Sequence, residues 1–562
     1  MRRLALLAIL LLGCPSGGPL DDDDATADDD DVADDDDSGD DDDDSGDDDD
    51  STPASWRSAL YPDDWTPAFT DGDGRFLHDV SYAGYRRSEV GVPQVIDLLG
   101  AFDVTTYGAD PTGAADSTAG IQAAIDDAEA AGGGVVHLPE GSYRADGLLL
   151  VDAPGVIVMG DGPDRSQLWF TTDTGMTDSA HLTFRGSVTA EPELLLVDDA
   201  EARSFVVAVN DASSLEPGDH VQVGQVITDA FVADHGMEDF WAVSNGQWRA
   251  FFRREVVAVD TLSEPHTVTL DVPLRADLLV RDAASIREVS GHVSECGVVG
   301  LGLSTVGDWD AAWGLDRTHA LKLDRVRDCW VQDVASFESP NSSDDRGRHL
   351  LSGGIKVQDS KRVTITDTVM EHAQNRGGGG NGYLFEVSRS SDVLIRDCLG
   401  RAGRHNFIQN WDFGTSGIVW LRTTSLDGRS LPWQGEDSAL VGFSEFHHSL
   451  AMANAIDASY TNDGWGAVNR RTFSSGAGHS ATESVFWNLT GPGEVKSFQY
   501  GHGYVIGTGT DTAVRVGLDQ GGLFAEASGT APEDWTEGLG DAATLEPQSL
   551  FEDQLARRLA SR

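Results

Sequence analysis

Cysteine is scarce, with four in 562 residues. Cys14 closes a leader-like segment, so three remain, and an odd number excludes a complete disulfide framework. Positive charge is scarce too. Lys and Arg number 39 against 95 Asp and Glu, for a net charge of −56. Residues 21–50 hold 21 Asp and no Lys or Arg, and the rest of the chain still carries about −35. Such a chain is excluded from gripping nucleic acid through its phosphates. It also repels polyanionic glycans unless Ca²⁺ or a local cluster of Arg or Lys intervenes. No segment is long and apolar enough to span a bilayer: the run after Arg2 and Arg3 ends within Met1–Cys14. No short His/Cys spacing of the structural-zinc kind occurs.

What is present begins at Phe102–Phe170. A short apolar strand, Phe102–Val104, ends in the turn-rich Tyr107–Pro111. Asp116 or Ser117 can cap a helix whose Ile121, Ala124, Ile125 and Ala128 recur at helical spacing. Gly132–Gly134 stop it. Short strands broken by glycine follow. One helix before many evenly spaced strands suggests a cover over the open end of a stack. From 290 on, Cys296, Cys329, Val363, Val393 and Ile418 start matching strand segments, a period suited to solenoid coils. Cys296 and Cys329 then sit one rung apart, as buried thiols or as a disulfide. Residues 203–275 break the rhythm with alternating strands, the mark of an antiparallel insertion. Its aromatic middle is either a flap over the coils or the insertion's own core.

The opening resembles the pectate-lyase superfamily, in its rhamnogalacturonase/epimerase-like branch. The motifs are Tyr107-Gly108-Ala109, Ile121–Ile125, Gly132–Gly134, Leu138-Pro139 with Gly141 and Tyr143, and Gly160-Asp161-Gly162. That resemblance implies an all-β chain: a right-handed parallel β-helix with an N-terminal capping helix and a small antiparallel β insertion. Leu11–Cys14 resembles a bacterial lipobox, which implies lipidation at Cys14, an outer-membrane or cell-surface location, and membrane contact through that lipid only. The expected organisation is a leader (1–14), an Asp-rich disordered tether (15–52) and a connector on the outside of the first coils (53–100). The cap and first coils (101–202), the insertion (203–275), coils carrying a groove (276–530) and a tail with a short helix (531–562) follow.

Polar residues gather between 345 and 505. Stacked coils lay successive loops side by side, so Arg404, His405, His448, Asp463, His479 and His502 are the candidate catalytic groups. Trp411, Asp412, Trp465, Arg470 and Arg471 are candidates for substrate binding, with the tryptophans (Trp433 among them) suited to sugar faces. Three chemistries compete. Asn381 and Glu386, then Arg389, then Arg404-His405 follow in order the metal ligands, basic residue and Arg-His pair of alginate-lyase and chondroitinase B-like lyases, which implies Ca²⁺ at Asn381 and Glu386. Arg389 stands where that family has Lys. Asn462–Gly464 and Gly501–Gly503 resemble polygalacturonase fragments, but the paired Asp-Asp and the later Arg-Ile-Lys are missing. A different hydrolase arrangement would draw on Asp412, Asp457 and Asp463. A non-catalytic, adhesin-type β-helix would clamp an anionic glycan with Arg404, Arg470 and Arg471. All three take a polysaccharide partner.

Overall fold

The computed structural model describes residues 54–94, 101–342, 347–431, 440–517 and 533–562. The leader, Cys14, the Asp-rich tether and Trp433 lie outside them.

The chain winds as a parallel β-helix. The column read from sequence is a column in space. Cys329 pairs in register with Val363, Thr364 with Leu394, and Leu394 with Val419, so Val363, Val393 and Ile418 stack rung on rung. Inward residues form one continuous core from Val104 to Val505. Every buried Val, Leu, Ile or Phe there contributes about 1.5–3 kcal/mol. Rings stack along the axis: Phe385 lies 5.0 Å from Phe407, which lies 6.4 Å from Trp465. The polar residue closing each repeat has its own reason. Asp333, Asp367, Asp397, Arg422 and Asn488 all turn corners at φ between 48° and 54°. Asp and Asn tolerate that left-handed conformation better than other side chains with a Cβ.

Helix α1 (Thr118–Ala130) covers the first rung with Ile121, Ala124, Ile125 and Ala128, all buried. Its first turn is held by Asp116, whose carboxylate accepts from Thr118 N, while Ser117 turns back to Asp110. Gly133 ends it at φ 121°, where a Cβ would meet the Gly155 carbonyl at 2.8 Å. The connector runs along the outside of the stack. Leu60, Tyr61, Trp65 and Val80 pack on the late coils through Leu421, Trp487 and Ile506, while Tyr85 and Val92 reach the early ones at Ile157 and Trp330. The expected seat on the first coils is thus displaced, because the late coils present the apolar outer face. Helix α2 (Leu550–Ala560) joins that cluster. Asp457 accepts from Leu550 N, Phe551 N and Ser549 Oγ, which anchors the helix start.

The antiparallel insertion extends from Thr189–Ala190 to Ser285–Ser290, wider than 203–275 because its outer strands read like coil strands. Its aromatic middle serves both expected roles. Phe231, Trp241 and Phe251 form its core, and that core closes on Phe413, Leu450 and Met452 of the coils. Arg249, Arg253 and Arg254 leave one insertion strand to meet Asp412, Asp359 and Asp392 at coil corners.

Cys296, Cys329 and Cys398 are free, buried thiols, and burial pushes the Cys329 and Cys398 thiols up. The native protein is therefore expected to protect all three from a thiol reagent until denaturant is added. Peptide mapping of the labelled protein checks this, and a Cys296–Cys329 disulfide would instead leave only Cys398 labelled after unfolding.

Candidate functional site

The site lies on the outer face of a ten-stranded parallel sheet. Its central strands are β1 (His319–Asp324), β2 (Gly353–Gln358), β3 (Tyr383–Ser388), β4 (His405–Gln409), β5 (Ser444–Phe446) and β6 (Trp465–Ala467). Alternation decides which side chains face out. Phe385, Phe407, Phe446 and Trp465 point into the core. Lys322, Lys356, Glu386, Ile408 and Glu445 fall in one register column of the other face.

Two polar clusters stand along that column. In the first, Glu386 Oε1 meets Lys356 Nζ at 2.9 Å and accepts from Asn410 Nδ2 at 2.9 Å. Its Oε2 lies 2.8 Å from His319 Nε2. In the second, Glu445 Oε2 accepts from Arg470 Nη1 at 2.5 Å. Its Oε1 faces His447 Nδ1 and, at 3.3 Å, His405 Nε2. His405 Nδ1 donates to the Phe443 carbonyl at 2.5 Å, and His447 Nε2 lies 3.0 Å from Ser474 Oγ. Tyr383, paired in register with His405, places its ring 5.2 Å from the His405 ring and 6.0 Å from that of His447. No described residue hydrogen-bonds the Tyr383 hydroxyl. The insertion braces this cluster, since Trp241 Nε1 donates to Ala477 O in the loop that carries Arg470 and Ser474. Gly476 has φ 86°, and a Cβ there would strike the Phe240 carbonyl.

An arginine trio borders the cluster. Arg404 holds its guanidinium 6.0 Å from the Tyr383 ring centre and donates to Gly377 O. Arg429 follows its backbone bond to Gly403, and the backbone at Arg376 O accepts from Leu431 N. All three are half-buried. Among the described residues, none is paired with a carboxylate. Burial and then the Arg429 charge lower the Arg376 pKa. A guanidinium with no carboxylate partner among the described residues is suited to an anion.

Burial penalises the charge on Glu386, but Lys356 and His319 outweigh it, and its carboxyl lies well below the usual range. Arg470 and the two imidazoles do the same for Glu445. Burial lowers His405 to about 3 and His447 to about 4, so both are neutral near pH 7. Burial pushes the Tyr383 phenol up to about 12. Between about pH 6.5 and 3 the unfolded chain binds protons that His405 and His447 refuse, and below about pH 4.5 the same holds for Glu386 and Glu445. Stability is therefore expected to fall as pH falls through both windows. Denaturant midpoints from pH 7.5 to 4 check this, and a flat profile would contradict it.

Of the residues singled out in the sequence, Arg404, His405 and Arg470 come together here. Arg471 is in the same loop, where its N–H donates to Asn469 Oδ1. His448 is buried instead, bonded to Ser449 Oγ and covered by the half-exposed Trp411 at 4.3 Å. His479 is buried, its ring 5.5 Å from that of Tyr500. Asp412 is taken by Arg249. Asp463 is an internal acceptor for Asn406, Ser425, Thr461 and the Gly428 N–H. Asp457 anchors α2. Trp465 is fully buried in the core and meets no sugar. His502 lies beside Tyr504, in the cluster under the connector. Arg389 is bound twice by Asp359. Asn381 bonds Asp316, Gly378 and Ser352, while Glu386 is engaged by Lys356 and His319, so the two do not act as one Ca²⁺ site. Tyr383 was missed as a site residue, while Glu445 and His447 stood out only as part of the polar stretch between 345 and 505, with no role assigned to them. The Glu445-Phe446-His447 alternation, polar around an apolar residue, was the available signal.

Residues 101–228 match the family described as rhamnogalacturonase A/epimerase, pectate lyase-like. Mannuronan C5-epimerase AlgE3 of Azotobacter vinelandii is 42% identical over 92 residues, which is 14% of this chain and 5% of that protein. Alginate lyase 7 of the same organism is 37% identical over 92 residues, 14% of this chain and 11% of that one. The chain thus spans only a small part of the curated relatives it matches. Among solved structures, the tailspike protein gp49 from Pseudomonas phage LKA1 aligns with TM-score 0.41 and 16% identity, over 74% of this chain and 72% of that one. The A-module of Azotobacter vinelandii mannuronan C-5 epimerase AlgE6 aligns with TM-score 0.34 and 14% identity, over 78% and 85%.

Proposed function

From a chain that belongs to the pectate-lyase-like superfamily of parallel β-helix proteins, we propose an enzyme acting on an acidic, uronate-containing extracellular polysaccharide. It removes the proton next to the uronate carboxylate. The observation that carries this is Arg404, its guanidinium 6.0 Å from the Tyr383 ring centre and without a carboxylate partner among the described residues, with the backbone of Arg429 bonded to Gly403 next to it and that of Arg376 to Leu431. The guanidinium would neutralise the substrate carboxylate, which makes the neighbouring C–H more acidic. The unengaged Tyr383 oxygen takes that proton as its phenolate, the form that the charges of Arg404 and Arg470 favour against burial, and becomes the phenol. Relatives named for mannuronan and alginate support the substrate class. The leader and Cys14 support a lipid-anchored place at the cell surface, with the aspartate run as spacer.

Hydrolysis is less well supported. It needs a protonated carboxylic acid facing a second carboxylate. Glu386 and Glu445 are both held ionised, and Asp412, Asp457 and Asp463 are engaged inside the structure.

The test is a panel of uronate and neutral polymers. Ultraviolet absorbance reports the conjugated double bond of elimination, and sugar analysis reports inverted uronates. Either signal on uronate polymers alone supports the reading. New reducing ends without either, or glycan retention with no chemistry, would replace it with a hydrolase or an adhesin.

A further inference from the structure

The second cluster holds more than a proton-transfer site requires. His405 donates through Nδ1 to a backbone carbonyl, an acceptor that cannot donate. In the neutral imidazole its Nε2 then carries the lone pair, and that buried nitrogen has no hydrogen-bond partner. It points at a carboxylate oxygen, Glu445 Oε1, 3.3 Å away. His447 meets the same oxygen with Nδ1, while its Nε2 is occupied by Ser474 Oγ. Ser474 Oγ also receives Arg470 Nη2 at 3.4 Å and can still take either role toward His447 Nε2; with the proton on that Nε2, His447 Nδ1 turns a lone pair to Glu445. Three acceptor atoms then converge, all within 4.8 Å of one another. Lone pairs facing a carboxylate repel it unless a cation lies between them.

We propose that His405 Nε2, His447 Nδ1 and Glu445 Oε1 bind a divalent first-row transition metal of the zinc class. Two imidazoles and one carboxylate suit such a metal and not Ca²⁺, which takes oxygen ligands. Bonds of about 2.0–2.2 Å in tetrahedral geometry separate donors by roughly 3.3 Å, the spacing His405 and Glu445 already have. The Glu445–His447 contact is tighter and would open on binding. The outer contacts match those that orient metal ligands: each imidazole is fixed through its far nitrogen, and Arg470 holds the other carboxylate oxygen. Three protein donors leave a position for water or a substrate oxygen. The site stands whether or not the uronate reading does.

The test uses the full chain. After chelator treatment it is exposed to limiting Zn²⁺ in excess Ca²⁺, which saturates the oxygen donors of the aspartate run, and is then desalted. About one Zn²⁺ per chain should remain, with X-ray absorption showing nitrogen scatterers at about 2.0–2.1 Å. His405→Gln and His447→Gln should each weaken retention by about 10- to 100-fold or more, while Asp→Ser changes within 21–50 leave it intact. No Zn²⁺ retained, oxygen scatterers only, or retention by both histidine variants as tight as that of the unmutated chain would each overturn the site. The scattering measurement on the unmutated chain decides even where a variant fails to fold.

Discussion

Tyr383→Phe is expected to lower turnover on the responsive uronate polymer by about 10²- to 10⁴-fold, the usual worth of a positioned proton-transfer group. The fold should barely respond. The ring keeps its place beside His405 and His447, and the hydroxyl leaves no bonded partner among the described residues. Arg404→Ala should act differently. Its guanidinium lies 6.0 Å from the Tyr383 ring centre, so losing it should weaken binding of the carboxylate as well as the chemistry. Initial rates across substrate concentration separate the two: kcat falls for Tyr383→Phe, and KM rises as well for Arg404→Ala. Unchanged activity in both would move the site away from β3 and β4.

Asp392→Ala should be the most destabilising single change at the junction of coil and insertion. Asp392 Oδ2 meets Arg254 Nη1 at 3.1 Å, and Oδ1 lies 3.7 Å from Arg275 Nη2. All three side chains are withdrawn from water. Burial raises the Asp392 pKa and lowers that of Arg254, so each ion is held against its own desolvation by the other. Removing the aspartate strands two buried cations, at about 3–5 kcal/mol. Denaturant unfolding reads the loss. Glu140→Ala, which breaks an exposed pair with Arg165, is the control and should change nothing measurable. If the two variants behave alike, the insertion is not held by this network.

Much of the architecture is legible in the residues themselves. The Cys329, Val363, Val393 and Ile418 column declares its spacing because each rung repeats the same inward pattern, and the following Asp declares the left-handed corner. The α1 stripe is equally plain. The site is harder to read because facing depends on alternation within very short strands. Trp465 starts a three-residue strand flanked by Gly464 and followed by Gly466, so no period marks it as inward. Of the adjacent His447 and His448, only the strand register tells which one shares a face with Glu445. His448 and His479 look available in sequence. They are covered by Trp411 and by the insertion, whose resting place is set by Phe413, Leu450 and Met452, more than a hundred residues beyond its own strands. Lone polar residues such as Asp457 and Asp463 carry no local sign that they serve a helix start or an internal turn.

Hydrogen exchange at the carbon beside the carboxylate tests the whole reading most directly. Uronate polymers are incubated with the protein in D₂O and followed by NMR. The account expects deuterium to enter that carbon, or the carbon to be lost to a double bond, with the unmutated protein and not with Tyr383→Phe. Protium retained at that position on every uronate polymer, with a neutral polymer cleaved instead, would contradict it.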